Sequence, residues 1–471
     1  MKIRRRRLAL LLFLTPAFIS GGASAAIGGR FGFTSEDAAL AGARVAAPEI
    51  SSASAFVNPA QLSLAPDASH LGPSDPRASA IRFHWSVLYS DPKFTEINGV
   101  VTKNPVNSDE TGSLVQNVDT DYPATFGQSV GLSVRSKKSD RHWGLGAVAY
   151  LPLDRFALLD SGESFVPEYT LHRGRTQKPE FQAALSGLLT KNLSFGAGIA
   201  LGARLTSDTT IFLNQGAGTV STMRIAASVK TEATPYFGLD YVASDAVSLG
   251  LAVRLASSSP ESLRVAANAR AVAGVSAQDF SFPALATMYY DPFTVSAGAT
   301  WKYAPASVLS FQLDYEAWSK FESPVLIVQN QGCDPNCGID FAPGRDLSRP
   351  TRDLVVPRIG HAWTIGTNEV RVGYVYRPGI YRGAPTGAGN AIDPDEHRLS
   401  AGFGWNLLSF PFFDAPGRVD LHAAYSLYPK ETVVKSAGDE NGNAANEKVG
   451  APGYETGGHE WGAGFTVELY L

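Results

Sequence analysis

The fold class this 471-residue sequence predicts is all-β: a 14-stranded antiparallel transmembrane barrel with an N-terminal hatch, or plug, in its lumen. Three observations predict it. From residue 80 onward, apolar residues alternate with small or polar ones in blocks of about ten to fourteen, the period of two that marks strands. The apolar face of these blocks carries almost no charge, while the other carries Gly, Ser and isolated Arg, Lys or Asp. The connections are short and long by turns, as in outer-membrane barrels.

Taken in order, residues 1–25 read as a signal peptide. Lys2 and Arg4 to Arg7 form a basic start, Leu8 to Ile19 an apolar core, and Ala23-Ser24-Ala25 a small-x-small cleavage signal. The core is short for a bilayer span, so cleaved export is expected. The arginine pairs suggest a twin-Arg signal, but the rest of that signal is missing. Removing the five basic residues takes the formal charge from −4 to −9. An acidic exported chain has no electrostatic footprint for nucleic acid.

Residues 26–79 lack the strand pattern and read as short helices and turns, the hatch segment. Thr34 and Asp37 are spaced for a capping box. In "SSASAFVNPAQLSLAP", Asn58 suits a helix N-cap and Pro59 a first helical position. Proline also holds the preceding residue extended, as a cap requires. Asn58, Pro59 and Ala60 thus predict a compact turn. A segment with caps and few charges suits a plug for a lumen too wide to fill itself; a loosely ordered periplasmic tail is the alternative.

Residues 80–471 hold the barrel. Strands are expected near 80–91, 125–136, 141–152, 178–190, 192–206, 231–243, 246–257, 288–303, 307–321, 353–366, 369–380, 396–409, 418–430 and 458–471. In "AIRFHWSVLYSD", Ile81, Phe83, Trp85, Val87 and Tyr89 share one face against Arg82, His84, Ser86 and Ser90. The blocks reach the roughly 9–11 residues that a tilted strand needs to cross a bilayer. Trp143, Tyr150, Tyr241, Trp301, Tyr303, Tyr376, Trp405 and Tyr428 fall toward block ends, as interface girdles do. A lipid-facing Arg or Lys at the midplane costs about 2–4 kcal/mol and little in a wet lumen, which accounts for the one-sided charge. No apolar run is long enough for a helical span, and a closed barrel is the other way to satisfy backbone groups in lipid. The eighth strand is the least defined, because "PALATMYYDPFTVSAGATWKY" accommodates one long strand or two; one preserves an even count.

The residues also carry a family resemblance. "RFGFTSEDAALAGARVAAPEISSASAFVNPAQLSLAP" resembles the start of the FadL-type outer-membrane long-chain fatty acid transporters, including their Asn-Pro-Ala hatch motif. "HWGLGAVAYLPL" looks like that family's third strand, and Trp318, Ser319 and Phe321 in "LSFQLDYEAWSKF" resemble its Trp-Ser-x-Phe strand. "EVRVGYVYRPGIYRGAPTGAGNAIDPDEHRLSAGFGW" is similar to its arginine–glycine–tyrosine strand, proline-rich loop and return. Leu471 departs from the usual terminal aromatic. The resemblance implies a monomeric channel in the outer membrane, amid membrane lipids and lipopolysaccharide. It would capture fatty acids or hydrocarbons at its loops and pass them on, without an energy source, sideways or past the hatch.

Candidate sites follow from that expectation. A sixteen-carbon tail gains on the order of ten kcal/mol at about 0.8 kcal/mol per buried methylene, before ordering costs. Phe156, Leu158 and Leu159 in one loop, and Ile211, Phe212 and Leu213 in another, are candidate capture surfaces, with loop-on-loop packing as the alternative. A carboxylate head wants a cation, and Arg204, Arg254, Lys302 and Arg371 face inward by strand parity. Each has a plainer role as an ion-pair partner for Asp240, Asp314, Glu316 or Asp420. Cys333 and Cys337, the two cysteines of "GCDPNCG", suit a disulfide stapling one excursion. A zinc site needs more ligands than lie nearby, so neither metal nor cofactor is expected. His84 and His422 are expected to line the lumen. No Gly-x-Ser-x-Gly elbow occurs, and enzymatic activity is not expected.

Overall fold

The computed structural model describes residues 27–47, 51–64, 79–103, 114–136, 142–154, 166–172, 178–212, 222–269, 278–321, 327–328, 349–385, 389–410, 415–435 and 449–471. Its barrel strands are β1 Ile81–Phe94, β2 Thr125–Arg135, β3 Trp143–Pro152, β4 Glu180–Leu188, β5 Leu193–Phe212, β6 Thr222–Ser244 and β7 Val247–Arg254. They continue with β8 Thr294–Ala304, β9 Ser307–Glu316, β10 Leu354–Ile365, β11 Asn368–Arg377, β12 Glu396–Leu407, β13 Gly417–Val434 and β14 Gly453–Tyr470. Each pairs antiparallel with its sequence neighbour, and β1 pairs with β14 from Arg82 opposite Tyr470 to Phe94 opposite Gly458, closing the barrel. Closure leaves no open edge in lipid.

Alternation along the strands sorts the side chains. Leu185, Leu399 and Trp301 stand half or more exposed on the outside, whereas His84 and Ser90 are fully covered inside. Trp143, Tyr241, Tyr303 and Trp405 are exposed too, in keeping with an interfacial girdle. Two expected girdle members differ: Tyr150 and Tyr428 are buried, because their strand parity points them into the lumen. The outer surface is thus an apolar belt that only a bilayer would cover, and the chain is an outer-membrane-type barrel.

The eighth expected strand is in fact two. Asp291 ends a strand spanning Gln278–Asp291, Pro292 interrupts, and β8 begins at Thr294. Proline supplies no ladder N–H and breaks a central strand. The even count survives because Gln278–Asp291 pairs with Ser257–Ala269 in a hairpin outside the barrel. β9 likewise stops at Glu316, and Trp318–Lys320 forms a 3-10 turn. Trp318 and Phe321 then pack on Tyr290 with ring centroids 5.7 and 5.5 Å away.

The N-terminal segment lies inside the barrel. It contains α1 Ile27–Phe31, α2 Ser35–Ala39, α3 Ser54–Val57 and a 3-10 turn Pro59–Ser63. Thr34 caps α2 by accepting from the Asp37 N–H at 3.2 Å, and Ala41 and Gly42, both at positive φ, turn the chain out of that helix. Asn58 caps the 3-10 turn, its Oδ1 accepting from the Ala60 N–H at 3.1 Å.

Candidate functional site: a lumen cavity above a seated hatch

Glycines on the inner wall let the hatch backbone come close. A Cβ at Gly196 would collide with Pro59 and Ala60, at Gly238 with Asn58, at Gly250 with Val45, and at Gly373 with Leu40 and Ala41. Asn58 then bridges hatch and wall: its Nδ2 donates to Val45 O at 2.8 Å and to Leu239 O at 2.9 Å. Gln312 Oε1 accepts from the Arg44 and Val45 N–H groups, each at 3.0 Å. Tyr236 donates to Ala55 O at 2.7 Å, and the Ser400 hydroxyl to Ala39 O at 3.1 Å.

Charged groups lock the same segment. Arg371, fully buried, reaches Asp420 at 2.7 Å, Glu369 at 2.8 Å and Glu36 of the hatch at 3.6 Å. Arg418 joins Asp420 and Glu369 at 2.9 and 3.1 Å, and Arg44 pairs with Glu36. Burial raises the Glu36 carboxyl, but the Arg44 and Arg418 guanidiniums outweigh it and hold the group below its ordinary range. His84 and His422 face inward as expected, meeting Ser52 Oγ at 2.5 Å and Ser35 Oγ at 2.9 Å.

Above the hatch is a cavity of about 210 Å³. Its two ends differ. At one, Phe56 and Val57 of the hatch meet Phe181, Leu201 and Tyr236 of the wall. At the other, Arg358 pairs with Asp314 at 2.6 Å, Arg377 with Asp393 at 3.1 Å, Arg398 with Glu396 at 2.5 Å, and Arg30 with Glu460. Arg254 lies between the ends. Its guanidinium centre is 4.2 Å from the Phe56 ring centroid and 4.6 Å from that of Tyr236, within cation–π range. Its Nη1 donates to Gln182 at 3.0 Å, while Nη2 is buried without a hydrogen-bond partner.

Of the four cations expected inside, Arg254 alone among those with described side chains lines this cavity. Arg371 is committed to carboxylates, the plainer of its two expected roles. Lys302 stands two residues before the tight turn that joins β8 to β9, away from the cavity. Arg204 is placed on β5 opposite Lys230, but its side chain lies outside the description. Ile211 and Phe212 fall at the far end of β5, also without described side chains. Phe156, Leu158, Leu159, Leu213, Cys333 and Cys337 lie outside the described residues, as does the signal peptide.

The arginines of the charged end were not anticipated. Arg358 and Arg398 had a readable signal, since each alternates with an outward residue, Ile359 and Leu399. Arg30, in the hatch, has no parity to read. Asp291 was assigned to a barrel strand and instead ends the outer hairpin beside the cavity.

No sequence profile of a known family matches the chain, and no curated protein matches it. The fold does have solved counterparts. A FadL homologue of Pseudomonas aeruginosa is 15% identical over 96% of this chain and 98% of its own, with a TM-score of 0.52. The P. putida toluene transporter TodX is 13% identical over 96% of this chain and 99% of its own, with a TM-score of 0.47. The Ralstonia pickettii toluene transporter TbuX gives 12%, 94%, 99% and 0.48 in the same order. At such identities the likeness to the first is one of fold, a fourteen-stranded barrel matched over nearly its whole length.

Proposed function

We propose that this chain is a passive uptake channel of the outer membrane for hydrophobic compounds that bear an acidic head. The observation that carries the proposal is Arg254, a cation with one unpartnered nitrogen between the apolar and charged ends of a cavity above a seated hatch. The hatch accounts for selectivity: with the lumen stoppered, water and small polar solutes have no open bore. The apolar end supplies binding by burial at about 25 cal/mol per Å², and Arg254 supplies orientation. The fold shared with a FadL homologue supports the same reading, and long-chain fatty acids are the class that the sequence resemblance implies.

Two features bear on release. The hatch touches the wall backbone to backbone, so passage beneath it requires the hatch to rearrange. Phe181 and Leu201 stand on the lipid side of their strands by parity and still line the cavity, as does the exposed Leu255 just past the end of β7, which supports release sideways into the bilayer. Expression in a Gram-negative host lacking its own hydrophobic-uptake channels tests the proposal. Accumulation of a radiolabelled hydrophobic acid should quicken severalfold, saturably, and Arg254→Gln should reduce it. Equal rates with and without the chain contradict the proposal.

A further inference from the structure

The shape of the Arg254 site narrows the class of acid. The guanidinium centre lies against the rings of Phe56 and Tyr236, so hydrogen bonding to a ligand falls to its N–H edge, in its plane. Nη2 is the unpartnered donor on that edge, and among the described residues no carboxylate pairs with Arg254. A planar acceptor in that plane is a carboxylate. Whatever is bonded to the carboxylate then extends into the apolar end.

That end is small. Among the described residues the cavity, at about 210 Å³, is only somewhat larger than the apolar cavity of about 150 Å³ that holds benzene, and its far side is a wall of arginine–carboxylate pairs. A long acyl chain would run its methylenes against those charges. A single ring directly attached to the carboxylate would stay in the guanidinium plane and meet Phe56, Phe181 and Tyr236. Resting on the uptake reading above, the geometry points to monoaromatic carboxylates, rather than long-chain fatty acids, as the ligands of this cavity.

Calorimetric titration of the full mature chain in detergent tests this with 4-methylbenzoate, toluene and hexadecanoate. Toluene has the same methylated ring without the carboxylate, and hexadecanoate has the carboxylate without the ring. The expected result is 4-methylbenzoate binding at least tenfold tighter than either. Arg254→Gln should weaken it tenfold or more, and Arg254→Lys, which keeps charge but loses the planar edge, by a smaller factor; Lys302→Gln should leave it unchanged. Heat-modifiable migration of each variant establishes that it is folded. Hexadecanoate binding as tightly as 4-methylbenzoate, still sensitive to Arg254→Gln, overturns the ring preference and leaves the uptake reading standing. Failure of all three to bind overturns both.

Discussion

Asn58 concentrates three contacts in one side chain: it caps the 3-10 turn, holds Val45 O and holds Leu239 O. At about 1 kcal/mol net for each hydrogen bond, Asn58→Ala should loosen the segment by roughly 2–3 kcal/mol. Amide exchange across residues 51–64 is then expected to quicken by one to two orders of magnitude, with barrel strands unaffected. Asn58→Asp keeps the cap but gives up both donations and buries a charge, so it should be worse than alanine; equal exchange in all three forms would remove Asn58 from the latch. The cap itself was legible, because Asn-Pro has a local meaning. The contacts with Val45 in the hatch and Leu239 in the wall were not, since neither is local to the turn.

Asp291 makes the cavity sensitive to pH. Burial pushes its carboxyl from the ordinary 3.8 up to about 7, against the opposing pull of Lys178 at 3.5 Å and of Arg254, with Glu180 adding to the rise. A raised carboxyl pKa favours the buried arrangement fully below about 3.8, and that contribution is lost as pH rises through about 7. Ligand binding follows the same sign. With Asp291 neutral, fewer negative charges oppose an incoming anion, so affinity for a carboxylate ligand should rise as pH falls from 8 to 6. Titrations across that range should show the trend, and Asp291→Asn should flatten it. A pH-independent affinity in the unmodified chain contradicts this role for Asp291.

At the scale of elements, the small residues of the polar face have a positive use. Gly196 and Gly250 sit where the hatch backbone touches β5 and β7, and Gly238 where the Asn58 side chain meets β6, so the strands supply a seat rather than merely omitting side chains. Gly196→Leu should displace the Asn58-Pro59-Ala60 turn and raise ion leakage through reconstituted barrels, while the barrel still migrates as folded. Unaltered leakage would show that the seat is not tight. Strand number was legible because a two-residue period and the turn chemistry agree along most of the chain. It failed locally at Asp291-Pro292, where apolar alternation runs through a proline and disguises a hairpin that leaves the barrel. It failed again after Glu316, where the strand expected to reach residue 321 gives way to the 3-10 turn that packs Trp318 and Phe321 on Tyr290.

For the whole molecule, the outward apolar side chains and the filled lumen are two consequences of one alternation. Each strand gives one face to lipid and the other to a lumen that residues 27–47 and 51–64 occupy. The fold was therefore readable from period and charge alone. The cavity was not, because it is assembled from Arg30 in the hatch, Arg254 on β7, Arg358 on β10 and Arg398 on β12, which no local pattern connects. Single-channel recording in planar bilayers tests the central claim most directly, comparing the mature chain with one lacking residues 26–66. The intact barrel should be nearly silent, and the shortened one should conduct in large, stable steps. An intact chain that already conducts as an open pore, or a deletion that leaves conductance unchanged, would contradict the account.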